Sequence, residues 1–94
     1  MALKLKSSQR PNKRYILFDI NDREKIEKTI LDYLGILGWA KATPMFVENE
    51  SDHNKIILAI DRKELNNIRA AFEMSKQNIK ILKVSGTLKG LTKI

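Results

Sequence analysis

The order in which hydrophobic periods change along this chain constrains its fold more than any single residue does. The run "RYILFDI" (14–20) alternates every second residue and is rich in β-formers, so it predicts a strand. "NDREKIEKTILDYLGILGW" (21–39) then sets Ile26, Ile30, Tyr33, Leu34 and Leu37 at helical spacing. Asn21 and Glu24 stand in capping-box relation at its start, and Gly35 and Gly38 are expected to fray its end. "TPMFVEN" (43–49) reads as a second strand, and Pro44, which has no N–H for a ladder, assigns it to a sheet edge. After the polar turn "NESDHN", "KIILAI" (55–60) is a third strand. "DRKELNNIRAAFEMS" (61–75) is a second helix, with Asp61 and Glu64 in N-cap and N3 positions and Leu65, Ile68 and Phe72 on one face. "NIKILKVSG" (78–86) closes the series as a fourth strand.

The result is β-α-β-β-α-β. This is an α+β, ferredoxin-like (RRM-like) split-βαβ sandwich, with a four-stranded antiparallel sheet and two helices on one face. Right-handed crossovers predict the strand order 4-1-3-2, which sends the Pro44 strand to an edge as its chemistry demands. The 94 residues suffice for one domain with a modest core, expected over 13–94 behind a flexible basic arm at 1–12. No stretch approaches the roughly 20 apolar residues of a membrane span. The absence of cysteine removes disulfides and thiolate metal sites and fits a cytoplasmic location.

The net charge of +7 is unevenly placed. Lys4, Lys6, Arg10, Lys13 and Arg14 occupy the first fourteen residues with no acid among them. Lys76, Lys80, Lys83, Lys89 and Lys93 occupy 76–94, again with no acid. All 11 acids lie between, against eight bases. In the predicted topology the first strand begins beside the end of the fourth, so the two basic ends converge on one corner. Segregated basic charge is the usual footprint of a polyanion partner, and solubilising tails are the alternative.

Catalytic constellations are hard to find. His53 is the sole histidine and sits in a polar turn, without a second His or Cys to complete a metal site. Ser85 and Thr87 flank Gly86 without a nearby base, and the glycine follows a strand rather than leading into a Walker helix. Two other tenants of this fold are ligand-sensing modules and small phosphatase-like enzymes. Arg23, after the first strand, is the only residue that keeps the second of these open.

The sheet face away from the helices is the remaining test. With Ile16, Phe18 and Ile20 facing the helices, Tyr15, Leu17 and Asp19 face away, joined by Ile57 and Ala59 of the third strand. One aromatic among aliphatics is a poor base-stacking platform. Two readings stand: a face covered by another protein, or one partly covered by the chain itself.

Four strings carry a resemblance: "KRYILFDI", "YLGILGWAKATPMFVEN", "RKELNNIRAAF" and "ILKVSGTLKG". In this order they resemble the ribonuclease P protein component 2 family of archaea, which eukaryotic ribonuclease P shares. The most specific pieces are Val84-Ser85-Gly86-Thr87 and the Gly-x-x-Gly of Gly35 and Gly38 ahead of the Pro44 strand. The resemblance implies a non-catalytic subunit of the ribonucleoprotein that removes the 5′ leader of precursor tRNA. In that family the ribonuclease P RNA carries the chemistry with Mg2+, and the protein itself holds no cofactor. The family also implies a barrel-like partner, ribonuclease P protein component 3, in a 2:2 heterotetramer. Many members continue past the glycine motif into a further helical segment, whereas this sequence reaches Ile94 soon after it.

On this basis Lys4, Lys6, Arg10, Lys13, Arg14, Lys83, Lys89 and Lys93 are expected to neutralise RNA phosphates. Tyr15, Leu17, Phe46 and Ile57 are expected at the protein-partner surface. Trp39 is expected to plug the core or an interface rather than stack a base.

Overall fold

The computed structural model describes residues 12–92. Its elements are β1 (Lys13–Phe18), α1 (Arg23–Ala42), β2 (Met45–Glu48), β3 (Ile56–Asp61), a 3-10 turn (Arg62–Glu64), α2 (Leu65–Met74), β4 (Ile81–Ser85) and α3 (Leu88–Thr92). The sheet runs β2-β3-β1-β4 with every neighbouring pair antiparallel, as the βαββαβ order predicts. Pro44 lies immediately before edge strand β2, where a missing N–H costs no ladder bond. The arm expected at 1–12 falls outside the described residues apart from Asn12. So do Lys4, Lys6, Arg10 and Lys93.

The core follows from pleat and helix period. Ile16 and Phe18 of β1 and Ile56, Leu58 and Ile60 of β3 point to one side, where Ile26 and Ile30 of α1 and Ile68 and Phe72 of α2 meet them. Phe18 and Phe72 pack with ring centroids 4.9 Å apart at 53°, a tilted pairing favoured by the ring quadrupoles. Trp39 packs against this core, half-buried. Among the described residues no helix is long and apolar enough to cross a membrane.

The first helix departs from expectation at both ends. Asp22, not Asn21, is its N-cap, accepting the Lys25 N–H at 3.1 Å. Asn21 is diverted across the molecule, donating from Nδ2 to the His53 carbonyl at 2.7 Å. At the other end the helix does not fray. Gly35 breaks it at φ 74° and ψ 178°, and helical geometry resumes through Ala42. The break resets the helical phase, so Leu37, expected on the buried stripe, is 77% exposed.

The third departure is α3. Thr87 donates its N–H to Ser85 Oγ at 3.2 Å, and Thr87 Oγ1 accepts the Gly90 N–H at 3.0 Å. Ser85 and Thr87 thus turn the chain and cap a short helix where only a basic tail was expected. A Cβ on Gly90 would lie 2.2 Å from Ser85 Oγ, so glycine here lets the Ser85 hydroxyl keep its place. Helix α3 packs on β1 and β4, with Leu91 buried. Leu88 shares concavities with both Ile57 and Ala59. The chain therefore covers part of its own outer sheet face, which is why β3 is an unbroken buried run rather than an alternating one.

Candidate nucleic-acid interface

The antiparallel ladders bring distant basic segments to one end of the sheet. Lys13 pairs with Asp61, and Tyr15 pairs with Ser85, so the start of β1 lies between the ends of β3 and β4. A methyl group added at Gly86 would stand 3.5 Å from Arg14 Nη1, which places the Arg14 guanidinium against the exit of β4. Arg14 also donates from Nη1 to the Lys13 carbonyl at 2.8 Å. Arg14 shares parity with Ile16 and Phe18, so it leaves the sheet on the helix side, at the rim of the core.

Lys13 leaves on the opposite side and is already engaged. Its ammonium donates to Thr43 O at 3.2 Å and to Thr43 Oγ1 at 2.9 Å. Thr43 is the C-cap of α1 in left-handed geometry, φ 43° and ψ 57°, an uncommon state for a β-branched residue. Its N–H is tied to Ala40 O at 3.1 Å. Lys13 thus braces the turn from α1 into β2, and part of its hydrogen-bonding capacity is spent inside the chain.

Lys83 pairs with Leu17 across the β1–β4 ladder and lies exposed on the outer face. Lys89, on α3, borders a concavity of about 380 Å³ together with Glu48 and Glu50. Two acids therefore stand near Lys89. The structure gathers Lys13, Arg14 and the β4 exit as expected, and sets Lys89 to one side. The other expected phosphate contacts fall outside the described residues.

The expected protein-contact set divides. Tyr15 and Leu17 are half-buried on the outer face. Ile57 shares that face but is 1% exposed, which removes it from any free surface of the chain. Phe46 faces the other way, paired with Leu58 and packed on the core. The parity of β2 gives the outer face to Met45, paired with Ala59, and to Val47, paired with Ile57. Met45, 61% exposed, was missed because one residue of register decides which neighbours of Phe46 turn outward. Tyr15, Met45, Val47, Ala59 and Leu88 line a concavity of about 400 Å³ with Lys13 at its rim.

The opposite end of the sheet mixes acids with bases, among them Arg23, Lys25 and Lys55. Asp19 follows β1 and donates its N–H to Lys80 O at 3.0 Å, while Asp22 and Glu24 begin α1. Asp52, in the β2–β3 turn, accepts from the Lys55 ammonium, and this bond with the Asn54 N–H holds its carboxyl below the usual range. Lys55 is correspondingly raised, chiefly by the same bond. Arg23, the residue a phosphatase would use, places its guanidinium carbon 5.6 Å from the centroid of Phe46, in cation–π geometry.

Comparison with known proteins adds a family to this geometry. No family model matches the chain. Curated relatives do. It is 35% identical to "Ribonuclease P protein component 2" of Thermococcus gammatolerans, over 87% of this chain and 81% of that protein. The protein of the same name from Thermococcus kodakarensis is 33% identical over the same shares. That of Methanococcus maripaludis is 27% identical over 95% of this chain and 78% of its own length. The chain belongs to the ribonuclease P protein component 2 family.

Proposed function

We propose that this chain is a non-catalytic protein subunit of ribonuclease P that binds and stabilises the catalytic RNA during 5′-leader removal from precursor tRNA. The observation that carries the reading is the convergence of the β1 start and the β4 exit, with Arg14 against Gly86. Cations held at a strand end release counterions from RNA phosphates and let RNA helices pack closely. Arg14 suits bidentate phosphate contact, whereas Lys83 acts as a point charge on the outer face. Lys13 contributes field and braces the corner. Magnesium in this account belongs to the RNA. The exposed rim of the outer face, with Tyr15, Leu17 and Met45, serves the barrel-like component 3, two such pairs forming a 2:2 assembly in the cytoplasm.

Binding of the full chain to ribonuclease P RNA, measured across a salt series, tests this. Arg14→Gln with Lys83→Gln should reduce the log–log salt slope by about 0.7–0.9 for each lost contact. An unchanged slope and affinity would remove this corner as the RNA site.

A further inference from the structure

The structure assigns a second set of phosphate contacts to Lys41, Arg62 and Lys63, an inference that rests on the RNA-binding reading above. These residues lie in the acidic middle of the sequence, where averaging hides them. The fold returns them to the basic end. The Arg62 N–H donates to Asn12 O at 2.6 Å, which pins the 3-10 turn to the entrance of β1. Lys63 is the next residue in that turn. Lys41 stands in the last turn of α1, two residues before the Thr43 that receives Lys13.

All three side chains belong to exposed residues, and among the described residues no carboxylate comes within ion-pair distance of them. The two acids nearby are turned to local work. Asp61 Oδ1 accepts the Lys63 N–H at 2.9 Å, and Glu64 Oε1 accepts from Asn67 Nδ2 at 3.1 Å. Among the described residues, Lys13, Arg14, Lys41, Arg62 and Lys63 thus share one end of the molecule with the side-chain carboxylates of Asp61 and Glu64, both engaged. Lys76 and Lys80, although they belong to the basic 76–94 segment, precede β4 at the opposite end, beside Asp19. The phosphate-facing surface is therefore the α1–β2 turn, the β1 entrance and the start of α2. It spans the sheet end rather than the two chain termini alone. A polyanion meets one face with a cation excess, while the charge-balanced opposite end offers no comparable attraction, which fixes orientation as well as affinity.

The test compares full-length double variants on ribonuclease P RNA across a salt series, with circular dichroism melts to confirm folding. Arg62→Gln with Lys63→Gln should weaken binding about tenfold at low salt and lower the slope by roughly 1.5, the sum of two phosphate contacts. Lys76→Gln with Lys80→Gln removes the same formal charge and should leave the slope unchanged. Lys41→Gln, on a separate element, should lower the slope by about 0.7–0.9 and stands in should the turn variant fail to fold. Equal slope changes in the Arg62/Lys63 and Lys76/Lys80 variants would overturn the inference in favour of net charge alone. An unchanged slope for Arg62/Lys63 and Lys41, with a reduced one for Arg14/Lys83, would overturn it while leaving the RNA reading intact. No change in any variant would overturn both.

Discussion

Gly35 holds φ 74° and ψ 178°, a backbone state open almost solely to glycine. Nothing lies within 4 Å of a Cβ added there, so the constraint is conformational and not steric. Gly35→Ala should destabilise the fold by about 1–3 kcal/mol in chemical denaturation, the usual cost of such a residue state. Equal stability would mean that the break in α1 is not required. Asp52 offers a test by pH. Its folded carboxyl titrates below the 3.8 of an unperturbed group, first because Lys55 donates to it and then because the Asn54 N–H does. Its stabilising effect is complete above the unfolded value and fades as pH falls through the lower, folded one. NMR titration of the Asp52 carboxyl carbon should place its midpoint below 3.8, and Lys55→Met should raise it.

At the scale of elements, α3 depends on Ser85, Thr87 and Gly90 rather than on Gly86. Ser85 Oγ and Thr87 Oγ1 serve as its turn and cap, and Gly90 leaves room for the Ser85 hydroxyl. Gly90→Ala must displace that hydroxyl and should cost about 1 kcal/mol through the lost hydrogen bond, whereas Gly86→Ala should be near neutral. Thermal melts of the pair check this, and the reverse ranking would discard the assignment. The same elements show what a linear reading can see. The four strands and two long helices were legible because β1 and the helices show a one-sided apolar period, and β3 a short continuous apolar run bounded by turn residues. Helix α3 was not, because five residues are too few for a period and its start is set by two hydroxyls. The exposure of Leu37 was hidden because one glycine rephases its helix. Phe46 was assigned to the wrong face because register belongs to the strand pair, not to the strand. Of the interface, the convergence of β1 and β4 followed from topology alone. Arg62 and Lys63 did not, since Asp61 and Glu64 cancel them in a windowed sum, and Lys41 did not because it stands alone among apolar residues.

Charge is shared unevenly between the two ends of the molecule: cations outnumber acids where β1 begins and β3 and β4 end, whereas at the other end Asp19, Asp22, Glu24, Glu48, Glu50 and Asp52 are offset by Arg23, Lys25, Lys55, Lys76 and Lys80. A polyanion is drawn to the end with the cation excess, because the other end is close to balanced. Its outer sheet face is partly closed by α3, which leaves Tyr15, Leu17, Met45 and Leu88 as the apolar rim available to a protein neighbour. Charge at one end and an apolar rim beside it are what the proposed role, joining RNA to protein, requires. The direct measurement is cleavage of precursor tRNA by ribonuclease P RNA reconstituted with component 3 at low magnesium, with and without this chain. The account predicts that adding the chain restores 5′-leader removal at magnesium concentrations where RNA with component 3 is nearly inactive. The Arg14, Arg62 and Lys63 variants should require more magnesium for the same rate. Cleavage indifferent to the chain at every magnesium concentration would contradict it.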